Sequence, residues 1–123
     1  MARIGSWLLI IFFAGISTQA AAQTNCHVPN FNVIHNGTVT GYMYVKPGRT
    51  CSVMLTNSLG GVKSVEVTKK PSNGSLELRV FGLRYIPRQG FVGKDTFSFR
   101  DHALDRYGNP VTHDIVMEVT VSP

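Results

Sequence analysis

Residues 89–101 read QGFVGKDTFSFRD, and this stretch decides the fold. Gly90, Gly93 and Asp95 are small or turn-forming, and Phe97 and Phe99 follow with one residue between them. Glycine reaches positive φ at little steric cost, as a chain reversal between strands requires. An aspartate at such a reversal accepts backbone N–H bonds and holds it shut. Residues i and i+2 of a strand share a face, so Phe97 and Phe99 enter one apolar core together. A turn feeding a half-buried strand is the unit this stretch specifies.

Outward from it, period two dominates the chain. Residues 38–45 (TVTGYMYV) are β-branched and aromatic, and Pro47-Gly48 ends them. Cys51, Val53 and Leu55 share a face before the break at 57–61. Val65 and Val67 alternate with Ser64, Glu66 and Thr68. Pro71 to Gly74 marks a turn, and Leu76, Leu78 and Val80 then face one way. A short run ends at Pro87, with its Tyr85 expected to pair in a hairpin with the Phe97 strand. In the last run Val111, His113, Ile115, Met117, Val119 and Val121 alternate with Thr112, Asp114, Glu118 and Thr120. Residues 102–108 are the one candidate helical turn. About seven short strands separated by turns predict an all-β sandwich.

Residues 1–22 have a different character. Arg3 precedes an apolar run over residues 7–16, and Ala20-Ala21-Ala22 closes the segment. Charge, apolar run and small-residue site are the three parts of a secretory signal peptide. The run is too short to span a bilayer, which takes roughly 20 apolar residues. Stable membrane insertion is therefore not expected after cleavage. Domain 23–123 then holds 101 of the 123 residues, enough for one core. Arg3 is the one basic residue removed, so a net charge of +5 becomes +4. The remaining basic residues are scattered, with only Lys69 and Lys70 adjacent. Nucleic-acid binding calls for a denser patch interleaved with aromatics and is not expected.

Cys26 and Cys51 both fall in the mature chain. An exported protein meets an oxidising environment, and two cysteines without a C-x-x-C spacing predict one structural disulfide. Closing that loop stabilises a fold by roughly 3 kcal/mol in the chain-entropy view. The bridge is expected to staple the N-terminal segment onto the second or third strand. The location predicted is periplasmic or extracellular.

The latter half of the chain resembles the cadherin-like and immunoglobulin-like repeats of bacterial secreted and surface proteins. The matching positions are Pro71 and Gly74, Tyr85 and Pro87, then Gly90, Phe91, Gly93, Asp95 and Phe97, and the closing Val119 and Val121. The first half matches in strand rhythm only. The resemblance implies a single Ig-like or cadherin-like sandwich after a cleaved leader. Some of these repeats bind calcium between neighbouring units. Asp101 corresponds to the aspartate after the second aromatic strand, and Asp105, Asn109 and Asp114 follow in the same hairpin. These four are the candidate oxygen ligands for calcium, which takes 6–8 oxygens.

Catalytic patterns are missing from the sequence. His27, His35, His102 and His113 show no H-E-x-x-H spacing, and no G-x-S-x-G occurs. His102 and His113 can face each other across one hairpin as a two-histidine surface site for zinc or copper. Asn36-Gly37-Thr38 and Asn73-Gly74-Ser75 match a glycosylation sequon and read more simply as Asn-Gly turns. The function expected is a non-enzymatic binding or structural module of the cell envelope, adhesion being one role for it. Its partner would be a protein or a surface polymer. The alternative is a small periplasmic metal- or polyanion-binding protein that uses the hairpin of residues 101–114.

Overall fold

The computed structural model describes residues 15, 24–55, 61–80 and 82–123. The predicted signal peptide lies outside these residues except for Gly15, as does most of the break at 57–61. Among the described residues there is no helix, and eight strands form two sheets. They are β1 (Cys26–His27), β2 (Gly37–Val45), β3 (Cys51–Met54), β4 (Val62–Lys69), β5 (Gly74–Arg79), β6 (Gly82–Pro87), β7 (Gly93–Leu104) and β8 (Pro110–Val121). The larger sheet runs β1-β2-β8-β7-β4 and the smaller one β3-β6-β5. All pairs are antiparallel except β2 with β8, which are parallel.

The alternation read in the last strand is the alternation observed. Val111, His113, Ile115, Met117, Val119 and Val121 are buried, and none of the intervening residues is. On β7 the inner row is Asp95, Phe97, Phe99, Asp101 and Ala103. From the opposing sheet Val53, Leu83 and Tyr85 close the core. Gly90 and Gly93 take φ of 78° and 142°, as the turn before β7 requires.

Three local expectations are corrected. Residues 102–104 continue β7, and the reversal at 105–109 is a turn without a helix. Its inner row carries on through Ala103, and pairing with β8 extends to Leu104 with Pro110, which outweighs a local helical tendency. Tyr85 is no hairpin partner of the Phe97 strand: β6 belongs to the smaller sheet, and Tyr85 stacks on Phe97 across the core at 5.8 Å. Leu78 and Val80 are largely exposed, unlike Leu76, which packs against the core: they lie at the end of the edge strand β5 and just past it.

The disulfide between Cys26 and Cys51 is present. It joins β1, one edge of the larger sheet, to β3, one edge of the smaller. Residues 28–35 leave β1 next to this bridge and cross to β2. Phe31 lies over Gly41, where a Cβ would stand 2.7 Å from the sulfur of Met117 and 3.1 Å from the Phe31 ring. Glycine at 41 thus lets the segment lie close against the sheet.

Candidate functional site

The β7–β8 hairpin separates the residues singled out as ligands. Asp101 pairs in register with His113, and both point inward with 1% of their surface exposed. Arg100 pairs with Asp114 on the opposite face, in a two-point contact of 2.7 and 3.3 Å. At the turn, the Asp105 carboxylate accepts the backbone N–H groups of Asn109 and Tyr107, both at 2.8 Å, and the Asn109 side-chain amide at 3.2 Å. The Asn109 N–H leads the effects that hold the Asp105 carboxyl below the usual carboxylate range. The four candidates therefore occupy an inner face, an outer face and a turn. Among the described residues no three His, Cys, Asp or Glu side chains gather as a metal site. His102 and His113 are parted in the same way, His102 meeting Glu66 on the outer face at 3.2 Å.

What the fold does bring together is Asp101, His113 and His35. Nδ1 of His113 lies 2.6 Å from Oδ1 of Asp101, and Nε2 of His113 lies 2.7 Å from Nδ1 of His35. The third member comes from a tight turn. The Gly37 N–H donates to the Ile34 carbonyl at 3.1 Å, and Asn36 adopts φ 56°, a conformation asparagine tolerates. The Asn36 N–H donates to the Thr112 carbonyl at 2.7 Å, while its side-chain oxygen accepts from the Thr112 N–H at 3.1 Å. The Asn-Gly turn is thereby clamped to β8 beside His113, which places His35 on the buried ring.

This line ends at a cavity of about 480 Å³ between the 28–35 segment and β3. Val28, Phe31, Val33, Val53, Leu55 and Val62 form its apolar wall. Asn30, Asn32, Ser52, His35, His113 and Asp101 add polar groups. Its volume falls within the roughly 300–1,000 Å³ usual for a small-molecule site, and its lining is polar and apolar in nearly equal measure. On its other side His35 is exposed and borders a smaller depression with Asp105, Arg106 and Tyr107.

Sequence reading missed this constellation although part of its signal was visible. His113 falls among the inward valines of β8, and Asp101 falls two residues after Phe99 on the inner row of β7. A charged residue and a histidine at facing core positions must be partnered, since buried polar groups are costly when unpaired. His35 carried no such signal, because its partner is 78 residues away. No family model and no curated protein matches the chain.

Proposed function

We propose that the protein is an exported, non-enzymatic binding module of the cell envelope, and that it takes a small, largely apolar molecule in the cavity beside β3. The observation that carries this reading is the cavity itself: an apolar wall with a buried Asp101/His113 pair at one end. Export is supported by the leader-like residues 1–22 and by the disulfide. Among the described residues no helix is long and apolar enough to cross a membrane. An Ig-like or cadherin-like identity for the sandwich rests on the motif shared with those repeats. In its favour, Asp95 gathers the Pro71–Gly74 turn and Tyr85 into one hydrogen-bonded cluster.

The test is titration of the exported chain with N-phenyl-1-naphthylamine, a neutral apolar fluorophore. Saturable enhancement in the wild type that Val33→Trp abolishes is the expected result, since the indole would fill the cavity. Val33→Trp is compared at equal folded fraction, set by circular dichroism. Enhancement that never saturates, or that Val33→Trp leaves intact, removes the cavity as the binding site.

A further inference from the structure

We propose that β5 is a dimerisation edge, where a second copy of this chain adds its own β5 antiparallel across a two-fold axis through Leu78. The other three sheet edges are blunted. β1 has two residues and β3 four, and the disulfide ties these two strands together. β4 has two register shifts along its pairing with β7 and carries Lys63 and Lys69. Short length, bulges and lysines are the usual means of keeping a sheet edge from pairing with another chain. β5 has fewer such guards: its six residues pair with β6 without a shift and include neither lysine nor proline. Among the described residues it is paired on one side only.

The phase of the β5–β6 ladder decides which backbone groups face outward. The Arg88 N–H donates to the Asn73 carbonyl at 2.7 Å, and the next pair sets Gly74 opposite Pro87, which has no N–H. Hydrogen-bonded and non-bonded pairs alternate along an antiparallel ladder. Ser75, Glu77 and Arg79 therefore direct their N–H and C=O groups to β6, and Leu76 and Leu78 direct theirs to the open edge. Leu78 lies opposite the fully buried Leu83, yet it is 63% exposed, and Val80 just past the strand is 84% exposed. An apolar row on the core side thus runs out at this edge.

The edge is complementary to itself. With Leu78 on the two-fold, Leu78 meets its copy, Leu76 meets Val80 of the second copy, and Glu77 meets Arg79 of the second copy. Both backbone groups of Leu78 then face those of its copy, the geometry of a hydrogen-bonded antiparallel pair. On the outer face Glu77 already has Arg84 directly across from it at 3.3 Å. The dimer flanks each Glu77 with a second arginine, and opposite charges directly across a strand pair are stabilising. A patch that matches itself closes as a two-fold dimer. β3 is the far edge of the smaller sheet, so the cavity beside it stays open and the dimer is independent of what that cavity binds.

Sedimentation equilibrium of the full exported chain should show a reversible monomer–dimer equilibrium. Glu77→Arg and Arg79→Glu each set like charges against one another twice in the homodimer, and each should weaken it by about tenfold or more. Mixed in equal amounts, the two variants match opposite charges again at both positions and should associate as wild type does. Amide exchange reads the same contact without a substitution. The N–H groups of Leu76 and Leu78 should exchange more slowly at high protein concentration, while those of Glu77 and Arg79, already bonded to β6, change little. A wild type that stays monomeric up to about 1 mM overturns the proposal. So does a dimer that both variants leave intact, or one that forms without slowing exchange at Leu78, since the contact then lies elsewhere. Folded variants that stay monomeric when mixed would remove this register.

Discussion

The hydroxyl of Tyr85 donates to Oδ2 of Asp95 at 2.7 Å, and the bond runs from one sheet of the sandwich to the other. The same carboxylate accepts the backbone N–H groups of Ser72 and Asn73 at 3.0 Å and of Thr96 at 2.9 Å. One buried aspartate therefore fastens β6, β7 and the β4–β5 turn. Burial first, then the hydrogen bond and charge of Asp95, push the Tyr85 phenol well above its ordinary value. Tyr85→Phe should cost roughly 1 kcal/mol, one net hydrogen bond. Asp95→Ala should cost about 3 kcal/mol or more, because it strands several donors. The raised phenol value also fixes a pH window. The unfolded tyrosine releases its proton near pH 10 while the folded one holds it, so this stability is complete below pH ~10 and declines above it. Urea melts of wild type and Tyr85→Phe should converge as the pH rises from 9 to 11; a constant gap would separate Tyr85 from the alkaline loss.

Phe97 and Phe99 are fully buried and stacked at 6.2 Å, with Tyr85 against Phe97. Phe97→Ala and Phe99→Ala should each cost roughly 3–5 kcal/mol. That is a large part of the ~5–15 kcal/mol holding a typical domain together. Either variant melting like wild type would mean the aromatic cluster does not anchor the core.

How far the sequence carried this reading depends on the kind of contact involved. Period-two alternation is a property of each strand by itself, so the inner rows of β7 and β8 could be read residue by residue. Turn residues are local too, and Gly90, Gly93 and Asn36 stand where their φ values require. Which sheet a strand joins is not local. Tyr85 and Phe97 are near in sequence and face each other across the core, a relation that alternation cannot distinguish from a hairpin. Asp95 likewise belongs to a local turn by pattern, yet two of its donors come from residues 72 and 73. The candidate site suffered most, because His35, Ser52, Asp101 and His113 come from four separate parts of the chain. The hairpin of residues 101–114 seemed to gather oxygen ligands only until alternation sent Asp101 and Asp114 to opposite faces.

Gly93 carries φ 142° at the entry to β7, and a Cβ there would come within 3.4 Å of the Phe91 ring. Contact at that distance is ordinary; the backbone angle is the obstacle. Gly93→Val should therefore destabilise the domain by roughly 1–3 kcal/mol. Gly93→Ala should fall within the same range, as the φ penalty applies to any residue with a Cβ. Unchanged denaturation midpoints for both would show that the turn relaxes without strain.

The bridge between Cys26 and Cys51 closes the side of the sandwich from which residues 28–35 set out. Replacing both cysteines by serine should lower stability by roughly 3 kcal/mol. It should also weaken N-phenyl-1-naphthylamine binding, because one wall of the cavity is tethered through that bridge. Two free thiols in non-reduced, exported protein by mass spectrometry would dispose of the bridge. Undiminished probe binding by the serine variant would uncouple it from the site.

Asp101 and His113 test how a buried polar pair contributes to stability. A buried polar pair recovers little net stability over a well-packed apolar pair, but loss of one partner leaves the other stranded. His113→Leu leaves the Asp101 carboxylate inside the core without its donor, at a cost of roughly 3–5 kcal/mol. Asp101→Leu removes the acceptor of the buried His113 Nδ1–H and should also be costly. The double variant has neither problem, since two leucines on the inner row meet Ile115 and Phe99 as apolar neighbours. It should be more stable than the sum of the single losses implies, with a coupling of at least about 2 kcal/mol. Its cavity should still take N-phenyl-1-naphthylamine. Additive losses in the double-variant cycle would show that Asp101 and His113 act independently.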